Sequence, residues 1–335
     1  AGMQATLTAI ECCHKPVLFE KSDHLGGELI AAGADAFKSD VQSLNKWFKN
    51  ELSHKDADVR LNTEFTADTY KEGDFDLVIM ATGASPVKPG SIKGIEKGLT
   101  AVDVLEFEKP VGDTVIVVGG GMVGCETAID IARKGKKVCI VEALPEILSA
   151  EFVPQQPKMM LKDMIAEYGI DLYTNYKLVE IKDDGVVVEV AKKLFTLNKD
   201  VTVNTSMIQG EQMELKADSV VISLGMRSNP NITDELKALG ATVHIATADG
   251  SAGVKGFVTD ALQAVRPGSD HFYVCGPVPM MRALYPMLPD SGEFSLEERM
   301  GCGTGLCFGC TVLTTEGPRR ICHEGPVFKK SFLQW

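Results

Sequence analysis

The chain of 335 residues has little that would place it in a membrane, on a nucleic acid or in a disulfide scaffold. No apolar run approaches the ~20 residues of a membrane-spanning helix. Lys and Arg number 34 against 46 Asp and Glu, a net charge of −12. An extended phosphate-binding surface needs clustered cations, so this balance argues against a nucleic-acid partner. The histidines are six and scattered, and suggest neither a metal site nor a catalytic base. No signal peptide opens the chain, and nine cysteines is an odd number. Both fit a reducing, cytoplasmic setting. There is no low-complexity tract, and no initiator methionine precedes Ala1.

What is present is most concentrated near the C-terminal end. Cys302, Cys307 and Cys310 fall in one glycine-rich run, and Cys322 follows after a short excursion. The spacing C-x4-C-x2-C with a distant fourth Cys is the plant-type pattern for a [2Fe–2S] cluster. Four thiolates hold two irons, and the glycines let the backbone curl around them. A zinc knuckle or four buried thiols is the alternative, but zinc sites show paired C-x2-C units and this chain has one.

Strand and helix signals alternate through the first half, as in a parallel α/β sheet. Strands are expected at 17–20, 76–80, 114–118 and 137–141, and helices at 37–52 and 122–133. Shorter β segments follow at 177–182, 185–190 and 219–223. A helix begun near Ile232 closes at Gly240. Then come a strand at 242–246, a helix near 257–262 and a strand at 271–274. Ser295 and Glu298 have the spacing of a capping box for a helix entering the cysteine-rich module. Four pieces are expected, at 1–103, 104–225, 226–292 and 293–335.

Gly119, Gly121 and Gly124 form G-x-G-x-x-G between an expected strand and helix, and Glu142 ends the next strand. Together these complete a dinucleotide fingerprint. Gly119 makes the turn, Gly121 admits the pyrophosphate and Gly124 lets helix and strand pack. Glu142 would accept from a ribose 2′-OH and repel a 2′-phosphate, which favours NADH over NADPH. A glycine-rich turn beside a solvated Glu is the alternative. Glu20 follows an apolar strand and precedes Leu25-Gly26-Gly27; taken alone it reads as a charged strand end. Cys12, Cys13, Cys125 and Cys139 read as structural or surface thiols.

Residues 1–240 resemble the FAD- and NAD-binding half of the 2,4-dienoyl-CoA reductase and 2-enoate reductase family. The matching stretches are Glu20 to Gly27, Ala81-Thr82-Gly83-Ala84, the fingerprint at Gly119, and Leu224-Gly225-Met226-Arg227. The resemblance implies an FAD site involving Gly2, Glu20, Gly27, Thr82 and Gly83. It also implies an NAD(P)H site at the fingerprint, with Glu126 near the nicotinamide ribose. Ala1-Gly2 resembles the tail of an FAD fingerprint, so the first unit is expected to be truncated and to hold FAD weakly. No C-x4-C disulfide follows Gly27, unlike the glutathione-reductase type. The catalytic barrel of the reductase family is absent, so enoyl reduction is not expected of this chain alone.

From Thr242 the resemblance changes. Asp249-Gly250-Ser251, Gly256 to Asp260, Cys275-Gly276-Pro277, the four cysteines and Gly325-Pro326-Val327-Phe328 resemble the electron-transfer subunit of dihydroorotate dehydrogenase. That resemblance implies a ferredoxin-reductase-like NAD lobe, with Cys275, Gly276 and Pro277 lining a nicotinamide pocket and Asp249 near the nucleotide. It also implies a flavoprotein partner and a place in pyrimidine biosynthesis. A core thiol at a strand end is the alternative for Cys275. The join near 238–241 fits a natural fusion, an assembly error or a fragment. The segment 242–246 with Asp249 is also placed to serve as a strand returning to the FAD domain.

Two functions follow. One is an enzyme in which NADH, FAD and a [2Fe–2S] cluster pass electrons to a partner, with no residue acting as acid or base. The other is a truncated or chimeric chain that serves only as an iron–sulfur electron carrier, without flavin catalysis.

Overall fold

The computed structural model describes residues 1–150, 154–191, 193–197, 203–207, 211–228, 234, 237, 239–265, 268 and 270–335. Residues Ala1–Leu239 form one compact unit and Gly240–Trp335 a second. The helix expected to begin near Ile232 lies mostly outside the described residues.

The first unit opens with helix α1 (Gly2–Glu11), strand β1 (Val17–Phe19), helices α2 (Glu28–Ala32) and α3 (Ser39–His54), and strand β2 (Asp58–Arg60). Strands β1 and β2 pair in parallel, Leu18 opposite Val59. Met3 and Leu7 lie one helical turn apart, so they share a face. That face meets Leu52 of α3 in a small core, against which Leu18, Leu29 and Phe48 pack. Helix α4 (Ala67–Glu72) and strand β3 (Ala84–Pro86) follow.

Between α4 and β3 the sequence predicts a strand at 76–80, and none forms. An apolar run becomes a strand only where a neighbour completes its hydrogen-bond ladder. Among the described residues β1 pairs with β2 alone, and 76–80 pairs with nothing. Leu77 is left 78% exposed and Ile79 61%.

The larger part of the unit runs β4 (Leu99–Thr100), α5 (Ala101–Leu105), β5 (Thr114–Val118), α6 (Met122–Arg133), β6 (Lys137–Glu142), α7 (Gln155–Glu167) and β7 (Asp171–Thr174). An antiparallel group follows, with β8 (Tyr176–Lys182), β9 (Gly185–Val190), β10 (Lys193–Leu197), β11 (Val203–Met207) and β12 (Gln212–Lys216). The chain then returns through β13 (Ser219–Ile222) and β14 (Met226–Ser228). Five parallel strands stand in the order β4-β13-β5-β6-β7. Alternation along β5 sets the layers, because successive side chains face opposite sides. Val115 and Val117 turn to the helices, where they meet Ala128, Ile129 and Leu161. Ile116 and Val118 turn to the antiparallel layer and meet Leu178, Val186 and Val188. Both faces are covered, which is why β5 reads as an unbroken apolar run. Strands β3 and β14 pair antiparallel and tie the first part to the sheet.

The second unit holds β15 (Ala246–Thr247), β16 (Val254–Lys255), α8 (Val258–Val265), β17 (Phe272–Cys275), α9 (Val278–Leu284), β18 (Gly292–Ser295), β19 (Thr311–Thr314), β20 (Gly317–Arg320) and β21 (Val327–Lys329). Strand β18 is central, parallel to β17 and antiparallel to β21. Its Phe294 is fully buried among Phe272, Val274, Met281 and Leu333. Two expectations are corrected here. Of the strand expected at 242–246, only Ala246 joins a ladder, opposite Val254. No helix follows Ser295, because Ser295 ends β18 opposite Val327 and that ladder claims its backbone.

Candidate functional site

The turn between β5 and α6 is built by three glycines with different duties. Gly119 has φ +109°, and a Cβ there would lie 2.2 Å from the Ser223 carbonyl oxygen. At Gly124 a Cβ would lie 1.9 Å from the Gly119 carbonyl oxygen, so helix and strand touch only because the side chain is hydrogen. Around Gly121 a Cβ would meet nothing within 4 Å. That open space lies at the start of α6, where free N–H groups and the helix dipole favour a phosphate. Glu142 ends β6, and its two carboxylate oxygens accept from Gly120 N–H at 2.6 Å and Leu144 N–H at 2.8 Å. The carboxylate is thus fixed beside the turn, with lone pairs left for a ribose.

Glu126 lies on α6 and pairs with Lys38 at 2.6 Å, both side chains mostly buried. Next to this pair Asp35 is 3% exposed, and its Oδ1 lacks a hydrogen-bond partner. Arg133 stands off at 3.8 Å. Burial, then the Asp130 carboxylate, push Asp35 up to about 6. Lys38 and Asp35 carry no motif, so sequence reasoning missed them.

The residues assigned to FAD lie on or next to α1, β1 and α2 and in the turn before β3. Gly2 starts α1, and its Cβ position lies 3.3 Å from Leu18 and 3.6 Å from Ala81. Glu20 follows β1, and its Oε1 accepts from the Ser22 N–H and hydroxyl. Gly27 is the N-cap of α2, with φ +50° and open space where a Cβ would be. Thr82 and Gly83 precede β3. Glu28, which the sequence reading passed over, accepts from the Ala84 N–H at 2.7 Å and so closes this turn onto α2. Direct adjacency to Gly27 was the available signal. Gly27 offers open backbone and Glu20 a carboxylate acceptor of the kind a dinucleotide needs, and among the described residues the sheet here is β1 with β2.

In the second unit Cys275 ends β17 and is exposed, Gly276 has φ +151°, and Pro277 is the N-cap of α9. Asp249 accepts from the Ser251 N–H, which holds its carboxyl below the usual range. Cys275 closes β17, and Asp249 lies in the turn between β15 and β16.

The four cysteines are gathered as two pairs. Cys302 Sγ accepts from the Cys307 N–H at 3.3 Å and the Thr304 N–H at 3.4 Å. Those donors, Cys307 first, hold the Cys302 thiol down at about 5, where it is a thiolate at neutral pH. Cys310 Sγ accepts from the Cys322 N–H at 3.4 Å, which lowers Cys310, while the Cys310 sulfur raises Cys322. Among the described residues no three His, Cys, Asp or Glu side chains converge on one ion. Two pairs in series, with backbone N–H groups aimed at sulfur, suit a two-iron group better than one tetrahedral zinc. By contrast Cys125 and Cys139 are pushed up to about 12 and about 11 by burial, and are poor thiolates.

Similarity to known proteins follows the same division. A cinnamate reductase of Clostridium sporogenes is 34% identical over 238 residues, covering 71% of this chain and 33% of that protein. An electron-transfer subunit of dihydroorotate dehydrogenase B (NAD(+)) from Lysinibacillus sphaericus is 49% identical over 102 residues, covering 29% of this chain and 39% of that protein. The solved 2-naphthoyl-CoA reductase complex with 2-naphthoyl-CoA superimposes with TM-score 0.59 at 28% identity, over 71% of this chain and 33% of that one. The chain therefore spans well under half the length of each relative. The sequence model for the iron-sulfur cluster binding domain of dihydroorotate dehydrogenase B matches residues 297–334, and that for pyridine nucleotide-disulphide oxidoreductase matches 1–256. No helix among the described residues is long and apolar enough to cross a membrane. The turn at Gly119 and the paired thiols thus sit within two matched regions: the chain belongs to the pyridine nucleotide-disulphide oxidoreductase family and ends in an iron–sulfur binding domain of the dihydroorotate dehydrogenase B kind.

Proposed function

We propose that the chain takes reducing equivalents from NADH and delivers them singly, through FAD and a [2Fe–2S] cluster, to a partner flavoprotein. The observation that carries this reading is the set of two thiol pairs in a chain that also holds a dinucleotide turn. FAD, when bound, supplies the exchange between two-electron and one-electron carriers. The chain's own residues bind and orient. Gly119, Gly121 and Gly124 bring the start of α6 to the pyrophosphate, Glu142 accepts from the adenosine ribose, and Glu126, steadied by Lys38, faces the nicotinamide ribose. Gly2, Glu20, Gly27, Thr82 and Gly83 hold FAD. Asp249, Cys275, Gly276 and Pro277 form part of a ferredoxin-reductase-like nucleotide lobe. Cys302 with Cys307, and Cys310 with Cys322, hold the two irons. By analogy with the electron-transfer subunit, the acceptor is a dehydrogenase of pyrimidine biosynthesis.

The test is the visible spectrum of the purified chain with flavin and iron assays, before and after NADH under anaerobic conditions. With FAD supplied in the buffer, flavin with two irons, both bleached by NADH, is the expected result; after gel filtration without added FAD the weakly held flavin should be lost. Binding should favour NADH over NADPH, and Glu142→Ala should weaken NADH and relax the preference; equal affinity in the unmutated chain would count against the role of Glu142. One observation favours the second reading, an iron–sulfur carrier without flavin catalysis. Among the described residues the sheet that ends at Glu20 has two strands, and 76–80 joins no ladder. Iron without flavin even in the presence of added FAD would select that reading.

A further inference from the structure

The loop that carries three of the four cysteines has almost no regular structure, and its shape is set by a few contacts. Gly303 and Gly305 have φ +68° and +85°, and Phe308, with a full side chain, has φ +57°. A left-handed conformation at a bulky residue needs outside support. Arg320 supplies it from the end of β20, two residues before Cys322. Its Nη1 donates to the Gly305 carbonyl oxygen at 2.8 Å. Its guanidinium lies over the Phe308 ring, 5.1 Å from the centroid. Gly305 and Phe308 flank Cys307, so one side chain grips the loop on both sides of a ligand.

Arg320 is itself held. Its Nε donates to both Glu324 oxygens, at 3.1 and 3.0 Å, its Nη2 also meets Glu324, and the same carboxylate accepts the Arg320 backbone N–H at 2.6 Å. The Arg and Glu side chains are 23% and 27% exposed, so the pair is half-shielded from water. Gly305 is kept free of a side chain by this arrangement, because a Cβ would lie 3.1 Å from Arg320 Nη1 and 3.1 Å from His323.

We infer that Arg320 is a positioning residue for the cluster: it locks the loop of Cys302, Cys307 and Cys310 onto the turn of Cys322 that follows β20, and its charge, trimmed by Glu324, favours the reduced state. This rests on the cluster assignment proposed above. The planar fork can donate to Gly305 and Glu324 while stacking on Phe308, which a lysine ammonium cannot do at once. Uptake of one electron, without a proton, leaves the site one unit more negative, so a fixed cation beside it raises the reduction potential and a fixed anion lowers it.

The test uses the full chain with its cluster loaded, comparing Arg320→Gln, Arg320→Lys and Glu324→Gln for iron retention against a chelator and for midpoint potential against dye standards with dithionite. Arg320→Gln should lose iron about 10- to 100-fold faster, the usual consequence of removing a partner of a metal site. Its potential should fall. Arg320→Lys should also lose iron faster but keep a potential near that of the unmutated chain, because the charge remains. Glu324→Gln should raise the potential, which a purely packing role would not do. Unchanged retention and unchanged potentials in all three variants would overturn the inference while leaving the cluster in place. An unmutated chain that binds one zinc and no iron would overturn the cluster assignment, and the role of Arg320 with it.

Discussion

Asp35 is ionised where the packing disfavours charge. Its carboxyl is 3% exposed, one oxygen has no hydrogen-bond partner, and burial lifts it from 3.8 to about 6. A folded-state value above the unfolded one means the native state binds the extra proton between those two values. The stability contributed by this proton is present below pH ~4, declines between pH ~4 and ~6, and is absent at neutral pH. Asp35→Asn removes the buried charge. It should stabilise the first unit at pH 7 by roughly 1–3 kcal/mol, the upper end being the full value of the shift and the lower allowing for lost attraction to Arg133 and Lys38. Melting curves at pH 7 and pH 4 check this: the gain should shrink at the lower pH. A gain independent of pH would show that relief of packing, rather than of charge, is the cause.

At the scale of elements, the β5–turn–α6 unit is the most tightly specified. The Gly124 Cβ would fall 1.9 Å from a backbone oxygen, which no rotamer can relieve. Gly124→Ala should therefore push α6 off β5, destabilising the unit by roughly 1–3 kcal/mol and weakening NADH by at least about tenfold. Titration calorimetry with a thermal melt measures both, and unchanged NADH binding would mean that the nucleotide lies elsewhere. This unit was also the most legible from sequence. Helix α6 and strand β5 fall at the expected bounds because a fully apolar strand, a glycine turn and a helical stripe agree with one another. Residues 76–80 misled for the opposite reason: their pattern is that of a strand, but a strand is a property of a pair. Ser295 and Glu298 misled because a capping box is a local signal, and the ladder between Ser295 and Val327 is a longer-range one that prevails. The cysteines were legible by spacing, and the glycines of the turn by pattern. Glu28, Lys38 and Arg320 were not, because each acts through a partner far along the chain or through geometry that no motif records.

At the scale of the whole molecule, two units with separate cores should respond separately. Cys310 is 2% exposed and belongs to the core of the second unit with Ile321 and Phe328, whereas Cys302 is exposed. Cys302→Ala and Cys310→Ala should both release iron, but Cys310→Ala should cost more stability, since it also removes a packed side chain. Hydrogen exchange resolves this: protection should fall across 272–335 in Cys310→Ala, fall less in Cys302→Ala, and stay level at 114–142 in both. Loss of protection in β5 and β6 would mean that the units melt as one. The exposed stretch at 76–80 has a different bearing. Leu77 and Ile79 are both exposed, and among the described residues β1 pairs with β2 alone. Such a border invites strand addition by any chain that meets it. In concentrated solution the molecules should adhere to one another, and sedimentation velocity should show mass rising with concentration despite the net charge of −12. Placing one ammonium on that border, by Leu77→Lys, should make them slide past one another as single particles, so that the handling of this protein on a column or in a crowded drop turns on two aliphatic side chains.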